Sequence, residues 1–255
     1  MRPRIIPVLL VENGALVKTI KFNKRVYLGD PINTVKLYND MEVDEIIVLD
    51  ITASKDNKGP NFELVENIRN EAFMPFAYGG GITSQNEIEV LINSGIEKVV
   101  INTQLQKNTA LLESSAREFG SQSLVASVDI NLNLFGKGVI YSHSTNKNLK
   151  IKVEEHLMKI NESGAGEIFL NFVYKDGTWS GYDLELTSKL SKYLSIPLIV
   201  CGGASSTEDL KEITTHGADA AAAGSLFSFS KKEGGVLINY PESKQLDSLF
   251  YDKIY

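Results

Sequence analysis

Short apolar runs punctuate the chain at residues 4–11 (RIIPVLLV), 45–50 (EIIVLD), 75–78 (PFAY), 98–101 (KVVI), 123–128 (SLVASV), 167–172 (EIFLNF), 196–201 (IPLIVC) and 220–223 (AAAA). Runs this brief and this continuously apolar read as parallel strands buried on both faces. Amphipathic stretches separate them. Asp30-Pro31 opens one, an N-cap followed by proline at the first helical position. Residues 62–70 turn Leu64, Val65 and Ile68 to one side, and the stretch after glycines 79–81 does so with Ile88, Leu91 and Ile92. Residues 154–161 form a further helix. Strand and helix alternating along the chain predict a parallel α/β architecture.

One stretch occurs twice. Residues 76–103 (FAYGGGITSQNEIEVLINSGIEKVVINT) lie without a gap on residues 198–225 (LIVCGGASSTEDLKEITTHGADAAAAGS), an offset of 122. Gly80 and Gly81 fall on Gly202 and Gly203, Ser84 on Ser206, Gly95 on Gly217, and Thr103 on Ser225. The same offset puts Glu45-Ile46 on Glu167-Ile168. Two half-barrels, each with a glycine-rich strand end, predict a (βα)8 TIM barrel with two phosphate sites on opposite sides of one mouth. Strand–glycine–helix is also ordinary α/β architecture, so the glycines alone leave both readings open.

The 255 residues suit one such barrel. A single domain over 1–255 is expected, with an irregular C-terminal segment over 231–255. A net charge of −6 argues against nucleic acid or an anionic membrane as main partner. No run approaches the roughly 18 apolar residues of a membrane span, and the start has too short an apolar run for a signal peptide. The lone Cys201 forms no disulfide within the chain and fits a reducing cytosol, so a cytoplasmic protein is expected.

Candidate chemistry collects at the C-terminal ends of the strands, where barrel enzymes place it. Asp50 and Thr52 follow the second run, Asn102 and Thr103 the fourth, and Asp129 the fifth. Asn102-Thr103 suits a phosphate oxygen or a helix cap, and Asp129 suits acid–base work or a loop bond. Gly224-Ser225 open a short helix whose N–H groups suit an anion. Residues 12–30, with Lys18, Lys21, Lys24 and Arg25, read as a long mobile loop or as plain solvated charge, and 131–142 as an inserted hairpin. The three histidines show no metal-ligand spacing.

The ordered set RIIPVLLVENG, EIIVLDITAS, YGGGI, EKVVINT, FGSQ, GAGEI, KDGTWSGYD, CGGA and GADAAAAGS resembles the cyclase subunit of imidazole glycerol phosphate synthase (HisF), nearly collinearly from residue 4 to residue 229. The resemblance implies a substrate with a phosphate at each end and no cofactor or metal. One phosphate would meet Gly81, Asn102 and Thr103; the other Asp176, Gly177, Gly203, Gly224 and Ser225, with Lys18 from the first loop and Asp50 beside the substrate. It also implies a HisH-type glutaminase docked at the opposite face, near Gln122. Ammonia would enter through a gate of Arg4, Glu45, Lys98 and Glu167; a purely structural ion network is the other reading of those four.

The chain departs from the family at one decisive position. Two aspartates serve the cyclase as acid and base; the second matches Asp129, but the first is Leu10. Losing one acid–base partner costs about 10²–10⁴ in rate. Asn171, Phe172 and Tyr174 also stand where the family has small hydroxyls and an aspartate, so bulky aromatics are expected to reshape the mouth, and GGVLINYP stands where the family has a last charged amphipathic helix. This pattern is similar to divergent HisF-like proteins of surface-polysaccharide synthesis, which act with a glutaminase and a sugar amidotransferase. The expected function is therefore an ammonia conduit; the alternatives are an active cyclase of histidine biosynthesis, with Asp129 alone or with Glu12, and an unrelated phosphosugar reaction.

Overall fold

The computed structural model describes residues 2–251. Its barrel strands are β1 (Arg4–Glu12), β2 (Ile46–Asp50), β3 (Phe76–Gly79), β4 (Lys98–Ile101), β5 (Leu124–Leu132), β6 (Glu167–Phe172), β7 (Leu198–Cys201) and β8 (Ala220–Ala223). Each pairs in parallel with the next, and β8 returns to β1, so the sheet closes. Outside run α1 (Pro31–Asp40), α2 (Phe62–Glu71), α3 (Gln85–Asn93), α4 (Ala110–Phe119), α5 (Val153–Glu162), α6 (Leu184–Ser191), α7 (Thr207–Thr215), α8 (Ser225–Ser228) and α9 (Ser243–Phe250). This is the expected (βα)8 barrel.

The internal repeat is structural. The bounds of β3, α3 and β4, moved by 122, are those of β7, α7 and β8. Both repeated helices start on a serine cap: Glu87 N–H donates to Ser84 Oγ and Asp209 N–H to Ser206 Oγ, each at 3.3 Å. Asp30 caps α1, accepting from Asn33 N at 2.8 Å, ahead of Pro31.

Alternation along the strands divides the core in two. On β6, Ile168, Leu170 and Phe172 join the layer between sheet and helices, while Phe169 turns into the barrel. There it meets Ile6, Ile47, Val125 and small residues from other strands, Ala77 and Ala222. A fully buried phenylalanine fits because β8 offers only methyl groups.

Three expectations need correction. Residues 12–30 are not a loop. β1 continues to Glu12, an Asn13-Gly14 turn follows with both residues at positive φ, and Ala15–Ile20 and Lys24–Gly29 complete an antiparallel ribbon. Asp129 does not end β5, because the strand runs on to Leu132 by pairing with Gly138–Ser142. The segment 231–255 is not irregular throughout: α9 forms on the buried Leu246, with Gln245 reaching back to Glu242 N at 3.0 Å. Residues 252–255 lie outside the described residues.

Phe169→Ala should cost about 3–5 kcal/mol of unfolding free energy through the cavity it leaves. Leu134→Ala, at a fully exposed turn, should stay within about 0.5 kcal/mol. Denaturant midpoints check both.

Candidate functional site

At the N-terminal end of the strands four charges meet. Arg4 bridges Glu45 and Glu167, at 2.6 Å from the latter. Lys98 Nζ lies 2.9 Å from Glu45 and 3.1 Å from Glu167. Each cation thus touches both carboxylates and the set is neutral overall. Burial works against the charge on Arg4, but Glu45 and Glu167 outweigh it and hold the guanidinium more firmly protonated. Glu45 is buried and the other three are half-buried, and ion groups partly withdrawn from water are weak sources of net stability. Gln122 stands exposed in the turn Ser121–Ser123 that leads into β5.

Above the ring the interior is apolar. Cys201 is part of it, and burial pushes its thiol far above the usual range, so it is no nucleophile.

At the C-terminal end lies a cavity of about 100 Å³. Its wall brings together Leu10, Asp50, Gly81, Asn102, Thr103 and Asp129. Asp129 is buried; loss of water raises its pKa to about 7, the Asn102 hydrogen bond (2.8 Å) pulls it back, and Asp176 adds to the rise. Asn102 also donates to Ser127 at 3.2 Å and accepts from Gln106 at 2.9 Å, so its side chain braces Asp129. Asp50 holds its own loop, accepting from Thr52 N, Thr52 Oγ1 and Ala53 N. Gly81 has φ +70, and a Cβ there would stand 2.3 Å from Lys58 O. Leu10 is level with Leu49 in the register, so two apolar side chains occupy this wall.

Lys18, Asp176, Gly177, Gly203, Gly224 and Ser225 lie outside that wall. The ribbon 15–29 covers part of their ground. Thr19 Oγ1 donates to Asp176 Oδ2 at 2.6 Å, Phe22 N–H to the same oxygen at 3.1 Å, and Lys21 N–H to Asp176 O at 3.0 Å. Burial raises the Asp176 pKa against these bonds. Gly177 has no room for a Cβ, which would come within 2.3 Å of Thr19 O. Lys18 is buried with Nζ 4.5 Å from the centre of the Phe229 ring, and burial lowers its pKa. Gly203 O accepts from Gly181 N at 2.9 Å. Gly224 O accepts from Ser228 Oγ at 2.9 Å in the four-residue α8 that Ser225 begins.

Sequence reasoning missed Thr19, Phe22 and His143, which also line the cavity. Phe22 sets its ring edge against Tyr141 (6.2 Å) and His143 (5.6 Å), so the two ribbons meet over the mouth. The readable signal was Asn13-Gly14, the mark of a hairpin that returns a residue near position 22 to the mouth. The expected reshaping by aromatics is corrected. Asn171 faces the cavity, whereas Phe172 belongs to the outer layer against Tyr174, whose hydroxyl donates to Asp183. The parity of β6 requires it.

The fold and its features define a closed (βα)8 barrel with an ion ring at one end and a carboxylate-bearing cavity at the other. The chain belongs to the histidine biosynthesis protein family, whose model matches residues 4–233. It is 42% identical over 248 residues to a Pseudomonas aeruginosa protein provisionally named imidazole glycerol phosphate synthase subunit hisF2, covering 97% of this chain and 99% of that one. It is 40% identical over 253 residues to a Leptospira interrogans protein provisionally named as the HisF subunit, covering 98% and 100%. The Helicobacter hepaticus imidazole glycerol phosphate synthase subunit HisF is 38% identical over 241 residues, covering 94% and 96%. The chain is thus a HisF-like imidazole glycerol phosphate synthase subunit. Among the described residues no helix is long and apolar enough to cross a membrane, and no group of three or more His, Cys, Asp or Glu fits a metal.

The raised Asp129 pKa fixes a sign. The folded protein holds that proton up to about pH 7, whereas the unfolded chain releases it near about pH 3.9. The group's contribution is therefore fully present below the lower value and is lost as pH rises to 7. Relative to Asp129→Asn, the parent should lose stability across that window. Urea midpoints at several pH values check it; parallel curves contradict it.

Proposed function

We propose that this barrel is an ammonia conduit: it docks a HisH-type glutaminase at the ion-ring face and passes ammonia to a sugar amidotransferase of surface-polysaccharide synthesis at the other. The observation that carries this reading is Leu10. It shares the cavity with Asp129 and cannot give or take a proton, while the ring keeps two cations and two carboxylates in mutual contact. Neutral ammonia crosses an apolar interior at far lower cost than ammonium, which would lose its ionic hydration there.

In this reading Arg4, Glu45, Lys98 and Glu167 are the gate and Gln122 touches the glutaminase. Gly81, Asn102, Thr103 and Asp50 keep the remains of one anion site. The second, formed by Lys18, Asp176, Gly177, Gly203, Gly224 and Ser225, opens only when the ribbon 15–29 lifts from Asp176. The exposed Leu134 and Phe135 at the other ribbon's turn offer apolar contact to the receiving enzyme.

The second reading, an active cyclase, is favoured by the Asp129 pKa of about 7, which suits proton transfer at neutral pH. Against it stand Glu12, paired with Arg25 at 3.0 Å and outside the cavity wall, and a cavity of about 100 Å³. Sites that enclose ligands of that size class run to about 300–1,000 Å³.

Mixed with the HisH-type glutaminase of the same organism, the full chain should raise glutamine hydrolysis roughly 5–150-fold, the range of ordinary coupling energies. Gln122→Ala should weaken the stimulation without moving the melting temperature, since the side chain is exposed. No stimulation by the parent chain would remove the conduit reading.

A further inference from the structure

The ribbon after β5 ends in a turn that holds two apolar side chains clear of the protein. Leu134 is fully exposed and Phe135 nearly so, at 101% and 87%. The turn itself is closely bonded. Asn133 Oδ1 accepts from Phe135 N at 2.9 Å and from Lys137 N at 3.1 Å. Asn133 N donates to Lys137 O at 2.9 Å, and Asn133 O accepts from Gly136 N at 3.0 Å. Gly136 closes the loop at φ +73. A partner that takes the two side chains therefore has little backbone order left to impose. Among the described residues only Phe73 is comparably exposed, and it lies in the loop ahead of β3, at the ion-ring end.

Charge is sorted around this tip. Residues 130–153 carry four lysines and no carboxylate, in a chain whose net charge is −6. Lys152 pairs with Glu155. Lys137, Lys147 and Lys150 are exposed and form no ion pair among the described residues. Lys137 belongs to the turn. Lys147 lies level with Ser142 on the ribbon's outer strand, Lys147–Asn148, and Asn148 Nδ2 donates back to Leu132 O at 3.4 Å. An apolar tip flanked by unpaired cations is complementary to an apolar pocket edged with carboxylates. We propose that this tip is a docking finger: Leu134 and Phe135 enter an apolar pocket of an acidic-rimmed protein partner, and the three lysines steer and hold it. In the conduit reading that partner is the receiving enzyme, and the proposal rests on that reading for its identity. The same ribbon supplies His143 and Ser144 to the chamber wall. Strand rise puts the tip about 17 Å from them, and a standard interface of roughly 800 Å² per side covers a disc of about 16 Å radius. A partner gripping the tip therefore also covers the mouth where ammonia leaves. An anionic membrane offers the same two chemistries, but it extends past the tip over the rest of an acidic chain and repels it.

The test uses the full chain with the HisH-type glutaminase and the sugar amidotransferase of the same organism. Calorimetric titration at low and at high sodium chloride reads the affinity of the barrel for the amidotransferase. The parent should bind, and more weakly at high salt. Leu134→Ser with Phe135→Ser should weaken binding roughly 30-fold or more, as loss of an apolar anchor does, and should leave the melting temperature in place because both side chains are exposed. Lys137→Glu with Lys147→Glu and Lys150→Glu should weaken binding at low salt and abolish its salt dependence. Both variants should raise glutamine hydrolysis as the parent does, since the tip lies at the other end of the barrel from the ring. Parental affinity in either variant would overturn the proposal. No binding of the amidotransferase by the parent would overturn it too, and capture of the parent by vesicles of phosphatidylglycerol and phosphatidylcholine would then assign the tip to a membrane. A parent that fails to stimulate the glutaminase would instead remove the conduit; stimulation intact, with binding unchanged in the variants, removes only this surface.

Discussion

In a closed barrel every second side chain of each strand has to fill the interior, and this constraint places everything described above on one axis. Along β6 it sends Glu167 to the ring, Phe169 to the apolar filling and Asn171 to the cavity. Along β1 it does the same with Arg4, Ile6, Val8 and Leu10. The ion ring is therefore the floor of the same column whose ceiling is the chamber. A ring half withdrawn from water in this way contributes little net stability; its neutrality lets an otherwise apolar column end in charge without an unpaired ion.

Both ribbons contribute to the chamber wall, Thr19 and Phe22 from one and His143 and Ser144 from the other. The ribbon 15–29 is tied down by three bonds to Asp176, one of them from Thr19 Oγ1 at 2.6 Å. The ribbon from β5 is tied by Gln106 Nε2 to Tyr141 O at 3.3 Å and by His143 to Ile51 O. Phe22 joins the two. Each ribbon crosses from its own strand to ground near one glycine-rich half.

Much of this was legible in the chain. The strands were readable because parallel strands buried on both faces are short and apolar, and the half-barrels because the repeat has no gap. The ring was named from the family resemblance, and its four residues sit where apolar runs begin. What was lost was lost for stated reasons. Lys18, Lys21, Lys24 and Arg25 drew the reading toward a solvated loop, although Asn13-Gly14 and the pairing of Leu10 with Val17 make a ribbon. His143 was passed over because a returning ribbon brings it beside Ile51, far away in sequence. The helix Ser243–Phe250 was hidden because its cap is a glutamate and only Leu246 is fully buried. Phe172 was misplaced by neglecting parity, which Glu167 had already set.

The most direct measurement is cyclase turnover of the purified chain with the phosphoribulosyl aminoimidazole substrate and ammonium salt at alkaline pH. Free ammonia bypasses the glutaminase, so only the chemistry at Leu10 and Asp129 is under test. The account predicts no turnover above background. Steady turnover abolished by Asp129→Asn would show that one carboxylate suffices and would contradict the conduit.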